Sequence, residues 1–363
     1  MPTRRSFLTT AAAAATPALF AQAPTPIRVA VIGVGNRGSF LLGNTIKVPG
    51  VEVIAVCDLD PNRTEKAAAQ ISGKAPARYS DFRKMLDERK DIDAVIIATP
   101  VDTHKMIAIA ALEVGKHVYC EKPMAATLED TRIMASAARS AKGIFQAGFQ
   151  LRHDPARNAA VRFIRDGKAG RVLYLQGYRH SGDLPRDTPW LFDSARSGDA
   201  IVEQACHILD LFVWAIGKPP LRAMGSGGIN LYQNQPQERS VTDNYSIIYE
   251  FPDDIRVTFS HIFFDPKGFS GIKERVWCSK GAVDLAAGTF VDLETGAATK
   301  LVGADAGQDS NYLSLAAFFD NARGRQTPLN NAESASISTM VAILGRTAIR
   351  EKRIVTWDEV AKG

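Results

Sequence analysis

Apolar residues in the first 150 positions fall into short, nearly unbroken runs. Ile27 to Ile32 (IRVAVI), Val51 to Val56, Ala94 to Ala98 (AVIIA), Val118 to Cys120 and a run near Ile144 to Gly148 are rich in β-branched residues and show little polar alternation. A strand with one wet face would alternate, so these runs predict strands buried on both faces of a parallel sheet. The intervening spacing predicts helices: one ending near Ile46, Pro61 to Ser72, one capped by Ser80 or Asp81, Lys105 to Val114 closed by Gly115, and Thr127 to Ser140. Alternating strands and helices mean βαβ units in a doubly wound sheet.

After residue 148 the pattern changes. Phe149 to Arg152 leads into a helix, Pro155 to Asp166, and then come alternating or β-rich runs. These are Val172 to Tyr178, Asn244 to Phe251, Arg256 to Phe264, Glu274 to Cys278 and Ala282 to Leu285, with turns such as Pro252-Asp253-Asp254 between them. Tyr312 to Arg323 and Ala332 to Arg350 read as closing helices. The expected fold is therefore α/β over residues 24–148, followed over 149–363 by an α+β domain with a large, open, mainly antiparallel sheet.

Composition narrows the function classes. The 363 residues are 45% hydrophobic and 23% charged, ordinary for a globular chain, with no repeats or low-complexity body. The net charge of +5 is spread along the chain without basic runs or interleaved aromatics, which argues against nucleic acid as a partner. No stretch reaches the roughly 18 apolar residues of a membrane span. Cys57, Cys120, Cys206 and Cys278 are scattered singly, and the six histidines show no H-x-H or H-E-x-x-H grouping, so no metal site is expected. Thr3-Arg4-Arg5-Ser6-Phe7-Leu8, the weakly apolar stretch to Phe20 and Ala21-Gln22-Ala23 have the form of a twin-arginine signal with its cleavage site. Residues 1–23 are thus expected to engage the twin-arginine translocon and direct a folded protein to the periplasm.

Two stretches carry the candidate chemistry. Gly33, Gly35 and Gly38 follow the first strand with G-x-G-x-x-G spacing, and Asp58 closes the second. Strand, glycines, helix, strand and acid in that order predict a dinucleotide-binding Rossmann unit, with the pyrophosphate at the helix N-terminus and Asp58 on the adenosine ribose. Asp58 repels a 2′-phosphate and favours NAD, while Arg63 keeps NADP open. Asn36, Arg37, Thr99-Pro100, His104, Glu121 and Lys122 fall at the same strand ends. In the second stretch, Gly198 to Phe212, an α-helix would place Glu203, His207 and Asp210 at i, i+4 and i+7 on one stripe of a buried helix. Either a catalytic histidine with a carboxylate partner or a purely structural pair satisfies that pattern. Lys122, at the end of a strand beside the crevice, could stabilise a developing alkoxide.

Gly33-Val34-Gly35-Asn36-Arg37-Gly38, Ala98-Thr99-Pro100 with His104, Glu121-Lys122-Pro123, and Glu203-x-x-x-His207-x-x-Asp210 together resemble the Gfo/Idh/MocA family, that of glucose–fructose oxidoreductase and inositol dehydrogenase. The resemblance implies an N-terminal Rossmann domain and a C-terminal domain whose open sheet forms contacts in a homo-oligomer, dimer or tetramer. It also implies NAD(P)-linked oxidation or reduction of a sugar or cyclitol. Lys122 matches the catalytic lysine and His207 the usual acid/base. Glu203 stands where inositol dehydrogenase-like members carry aspartate, as orienting partner or proton relay. Arg152, Arg179, His180, Trp190 and Asp210 are the expected sugar contacts, and in the periplasm the NAD is expected to stay tightly bound. The rival readings are NAD-assisted glycoside cleavage through transient oxidation and a non-enzymatic cofactor-binding protein.

Overall fold

A computed structural model describes residues 25–303 and 307–362. The Thr3 to Ala23 stretch, expected to act as an export signal, lies outside the described residues. Six strands, β1 (Ile27–Ile32), β2 (Val51–Cys57), β3 (Ala77–Tyr79), β4 (Ala94–Ile97), β5 (His117–Cys120) and β6 (Phe145–Ala147), form one parallel sheet in the order β3-β2-β1-β4-β5-β6. The order reverses between β1 and β4, and there the strand ends open a crevice. Both faces are covered, which is why the strands do not alternate. Val29 and Val31 pack with one layer, Ala30 and Ile32 with the other.

One covering helix comes from far down the chain. Ser310–Gly324 lies beside the helix Asn36–Thr45, with Leu315, Phe318 and Phe319 fully buried against Val29, Ile96 and Tyr119. Each such side chain contributes about 1.5–3 kcal/mol by leaving water. A division at residue 149 therefore separates the sheets, whereas the chain itself returns to the first one.

The second sheet has nine strands: β7 (Val172–His180), β8 (Arg222–Gly228), β9 (Asn244–Glu250), β10 (Arg256–Ile262), β11 (Gly271–Cys278), β12 (Gly281–Asp284), β13 (Thr289–Asp292), β14 (Ala298–Lys300) and β15 (Val355–Thr356). Their order is β14-β13-β12-β11-β7-β10-β9-β8-β15, with β7 and β10 parallel and the other neighbours antiparallel. Tyr245, Ile247 and Tyr249 turn inward under the helices Cys206–Ile216 and Ala332–Glu351, while Ser246 and Ile248 face outward. That alternation is what the apolar pattern predicts. β8 (RAMGSGG) was not expected, because its glycines carry no strand preference and only pairing with β9 makes it extended.

Helix ends follow cap chemistry. Asp60, Asp81 and Thr127 each accept a backbone N–H of the first turn. The largest departure from expectation is at Ile201–Ala205, which forms a π-helical turn ahead of the α-helix Cys206–Ile216. Before it stands Asp199, buried with φ +84°. Its carboxylate accepts from Ala200 N at 2.7 Å, Thr242 Oγ1 at 3.0 Å and Arg350 Nη2 at 2.9 Å, contacts that over-determine a strained backbone.

The glycine turn gives a stability prediction. A Cβ on Gly38 would lie 1.7 Å from the Gly33 carbonyl oxygen, whereas one on Gly35 would meet only Arg63 Nη1, at 3.3 Å. Gly38→Ala should lower unfolding free energy by about 1–3 kcal/mol or more, and Gly35→Ala by under about 0.5 kcal/mol, as read by urea denaturation.

Candidate active site

The crevice between β1 and β4 continues into a cleft of about 980 Å³ walled by both domains. From the first domain it takes Gly33, Gly35, Asn36, Arg37, Asp58, Thr99, Pro100, His104, Glu121 and Lys122, and from the second a loop around Asp187 to Leu191 with Glu203 and Gln204. The helix Asn36–Thr45 has no side-chain cap, so its first-turn amides are free to meet an anion. Asp58 is held in place by Val34 N at 2.9 Å and Asp60 N at 3.0 Å. Gly35 sits on the cleft wall, where an added Cβ would meet only the far end of the flexible Arg63 side chain, so a pyrophosphate can approach the backbone there. These features fit a dinucleotide. Among the described residues no group of His, Cys, Asp or Glu is placed to hold a metal.

Lys122 stands at the end of β5, with its side chain 12% exposed. Its Nζ donates to Glu203 Oε1 and to the Glu203 carbonyl oxygen, both at 2.7 Å. Burial works against the ammonium but is outweighed by the Glu203 carboxylate, with help from Glu121, so its pKa lies above the usual lysine value. His207 is half-buried, with the Phe149 ring edge-on at 6.2 Å. Burial pushes its pKa well below 6.5, and the charges of Lys122, Arg37, Arg179 and Arg157 push it the same way. The imidazole is therefore neutral at neutral pH, and its Nδ1 has no partner among the described residues.

Several expected roles are corrected. Glu203 does not orient His207: its carboxylate and its carbonyl, in the π-helical turn, both take Lys122 Nζ, and His207 Nδ1 is left without a partner among the described residues. Asp210 and Arg152 are not sugar contacts. They form an interior pair, Nε to Oδ2 at 2.8 Å and Nη2 to Oδ1 at 2.6 Å, with Ser338 Oγ also donating to Asp210. His180 is on the outer face of β7, where Nε2 meets Ser260 Oγ at 2.9 Å and the ring stacks on Tyr178. Gly38 packs under the turn instead of reaching the cleft. Arg37, although it lines the cleft, spends its guanidinium on Glu121 Oε1 at 2.8 Å and Asn311 Oδ1 at 2.9 Å. The ring nitrogens of the fully buried His104 lie 3.0 Å from the Pro123 and Thr99 carbonyl oxygens, so its single N–H donates to one of these two site loops and the ring packs against both.

Trp190 lines the cleft, whereas Arg179 is not among the lining residues and touches one of them, Gln204, whose Oε1 accepts from Arg179 Nε at 3.1 Å. Sequence reasoning passed over Gln204, although its place next to Glu203 was a usable signal. It also passed over Asp187 and Arg196, which sit in a Pro- and Asp-rich loop with no periodicity to read. Asn36 Nδ2 donates to Asp187 Oδ2 at 3.1 Å and Arg196 Nε to Asp102 Oδ2 at 3.1 Å, so this loop is fastened to both cofactor-side loops.

Comparison with known proteins agrees with this geometry. A model of the Gfo/Idh/MocA oxidoreductase family with an NAD-binding Rossmann fold matches residues 27–149, and a C-terminal domain model of the same family matches 158–284. The chain is 31% identical over 204 residues to the scyllo-inositol 2-dehydrogenase (NAD(+)) of Bacillus subtilis strain 168, covering 56% of this chain and 58% of that protein. It is 35% identical over 191 residues to a glycosyl hydrolase family 109 protein of Stenotrophomonas maltophilia, covering 49% and 42%. The matched stretch thus spans about half the length of these curated relatives. In fold, the crystal structure of an oxidoreductase domain protein from Kribbella flavida superposes with a TM-score of 0.81 at 23% identity, over 92% of this chain and 99% of that one.

The interior pair gives a second prediction. Arg152→Ala leaves the Asp210 carboxylate without its partner in a dry setting and should cost about 3–5 kcal/mol of unfolding free energy, measured by equilibrium denaturation.

Proposed function

The chain belongs to the Gfo/Idh/MocA family of oxidoreductases, and from that premise we propose that it transfers a hydride between NAD and a hydroxyl- or keto-bearing carbon of a sugar or cyclitol. The observation that carries this reading is Lys122 on the cleft wall beside the glycine turn, 12% exposed and held by Glu203 at 2.7 Å, with the half-buried His207 nearby keeping an unpartnered Nδ1. In oxidation the imidazole accepts the hydroxyl proton, and Lys122 donates a hydrogen bond to the same oxygen and stabilises its growing negative charge. The C–H bond breaks, the C=O bond forms, and reduction runs the same path backwards. Glu203 keeps Lys122 protonated and aimed. Bound NAD would supply the hydride acceptor or donor, held by the first-turn amides above Gly35 and by Asp58, whose negative charge disfavours a 2′-phosphate.

Retention of the cofactor is supported by the loop fastened through Asp187 and Arg196. The Thr3 to Leu8 motif supports twin-arginine export to the periplasm of a protein already folded and loaded. The outward face of the nine-stranded sheet, with Ile248 exposed beside Tyr178, Ser246 and Ser260, supports self-association as a homo-oligomer. The likeness to a family 109 protein supports a second reading, glycoside cleavage with no net redox change. Release of aglycone without added NAD would identify it, whereas stoichiometric NADH and a product two mass units lighter identify the first.

A screen of sugars, cyclitols and glycosides should find a substrate for which Lys122→Ala and His207→Ala each lower kcat by about 10²- to 10⁴-fold. The pH profile carries a sign. The base must be unprotonated, and its pKa is depressed below 6.5, so kcat/KM for oxidation should stay level down to that pH and fall only under it. An acid limb at or above pH 6.5 would remove His207 as the base. Asp187→Ala combined with Arg196→Ala should speed NADH release about two- to thirtyfold, followed by loss of bound-NADH fluorescence in a chase, since two exposed polar clasps are worth about 0.2–1 kcal/mol each.

A further inference from the structure

A second set of reactive side chains stands on the outer face of the nine-stranded sheet, apart from the cleft. His180 Nε2 lies 2.9 Å from Ser260 Oγ, and His180 Nδ1 lies 3.3 Å from Asp265 Oδ2. One imidazole thus joins a hydroxyl on one side to a carboxylate on the other. The parallel strands β7 and β10 set Ser260 opposite Tyr178, so His180 stands one pleat further along, and Asp265 follows in the turn after β10. Asp265 N donates to the Ser181 carbonyl at 3.0 Å, which ties that turn to the end of β7 and keeps the carboxylate beside the ring.

Charge decides which ring nitrogen carries the hydrogen. The Asp265 carboxylate has no other partner among the described residues, and an ionised carboxylate only accepts. Nδ1 therefore holds the hydrogen, and the Nε2 lone pair faces the serine hydroxyl. Burial pushes the His180 pKa below 6.5, with Asp265 working the other way, so the ring is a neutral base at neutral pH. The His180 and Asp265 side chains are 18% and 16% exposed, sheltered but within reach of a ligand. An imidazole held by a carboxylate and bonded to a serine hydroxyl is the arrangement that makes a serine nucleophilic.

Ser260 opens on a groove of about 480 Å³ that Tyr178, Met224, Ser226 and Ser246 also line. Ser246 on β9 lies directly across from Ser260, and Ser226 on β8 directly across from Ser246. Residues so opposed carry their Cβ atoms about 5 Å apart. Neither hydroxyl has a side-chain or backbone partner among the described residues, so both are free to donate to a carbonyl oxygen seated over Ser260. Gly225, Ser226 and Ser246 leave little bulk on that side, which suits an acyl group as short as acetyl.

We propose that Ser260, His180 and Asp265 form a second site that hydrolyses short-chain carboxylic esters, with Ser260 as nucleophile, His180 as base and Asp265 as its positioning partner. Ser260 Oγ bonds to the ester carbonyl carbon while its proton passes to His180 Nε2, and the carbonyl oxygen takes up negative charge beside Ser246. The bond from that carbon to the alcohol oxygen breaks, and the alcohol leaves with the proton from His180. Water then adds to the acyl carbon and gives a proton to His180. The carboxylic acid departs as His180 returns that proton to Ser260. The chemistry uses neither NAD nor the residues of the cleft.

The test treats the full-length protein with a fluorophosphonate and maps the adduct by peptide mass spectrometry, alongside hydrolysis of p-nitrophenyl acetate and p-nitrophenyl octanoate. An adduct on Ser260 that stops hydrolysis is expected, with the octanoate ester turned over at least about tenfold more slowly. Ser260→Ala should lower kcat for the acetate ester by about 10²-fold or more, and Asp265→Asn by about tenfold or more with KM unchanged. Unchanged NAD binding in Ser260→Ala serves as the control for folding, and labelling of the unaltered protein decides if that variant does not fold. Two chains paired through this face would cover the groove, so labelling is run from nanomolar to micromolar protein. An unlabelled Ser260 across that range, hydrolysis that survives Ser260→Ala, an effect of Asp265→Asn on KM alone, or equal turnover of the octanoate ester would each overturn the assignment.

Discussion

The contact between the Lys122 ammonium and Glu203 sets the character of the whole site. It joins the end of a strand in the first domain to a turn in the second, and it does so with both partners mostly out of water. Removing either charge would leave the other stranded in a low-dielectric wall. Glu203 is spent on the lysine and keeps it charged, while burial first and the neighbouring cations second hold the His207 imidazole neutral. The charged donor follows from that pairing, and the uncharged acceptor from being shut away from water.

That pairing depends on how the chain enters the helix. The π turn at Ile201–Ala205 presents both the carboxylate and the carbonyl of Glu203 to Lys122. The entry point is a left-handed Asp199 pinned by Arg350 from the long C-terminal helix. One turn further on, Arg152 and Asp210 lock the helix to the segment after β6. The first domain contributes a matching chain: Arg37 in the glycine loop holds Glu121, and Glu121 Oε2 accepts the backbone N–H of Lys122. Cofactor loop and lysine are therefore mechanically continuous.

The parts of this arrangement that follow local rules were legible in the sequence. Buried parallel strands announce themselves by unbroken apolar runs, and the glycine spacing of Gly33, Gly35 and Gly38 reports close packing. Lys122 could be placed because strand ends in such a sheet converge. What could not be read was decided by long-range pairing. A π turn leaves no trace in the 3.6-residue pattern, so Glu203, His207 and Asp210 were expected on one stripe and are found on three different errands. His180 and Arg179 looked alike in sequence. A one-residue step along a strand sends them to opposite faces, and only the sheet's orientation says which face holds the cleft.

The return of Ser310–Gly324 to the first sheet bears on how this protein can be divided or rearranged. A fragment cut after the sixth strand would carry every glycine and acid of the nucleotide motif yet lack the wedge of Leu315, Phe318 and Phe319 that fills one side of its core. The unit that a motif search outlines and the unit that can fold are different lengths of chain. A working nucleotide module would have to be assembled from two distant pieces, which makes joining residue 149 to the start of that helix the natural splice for a minimal version.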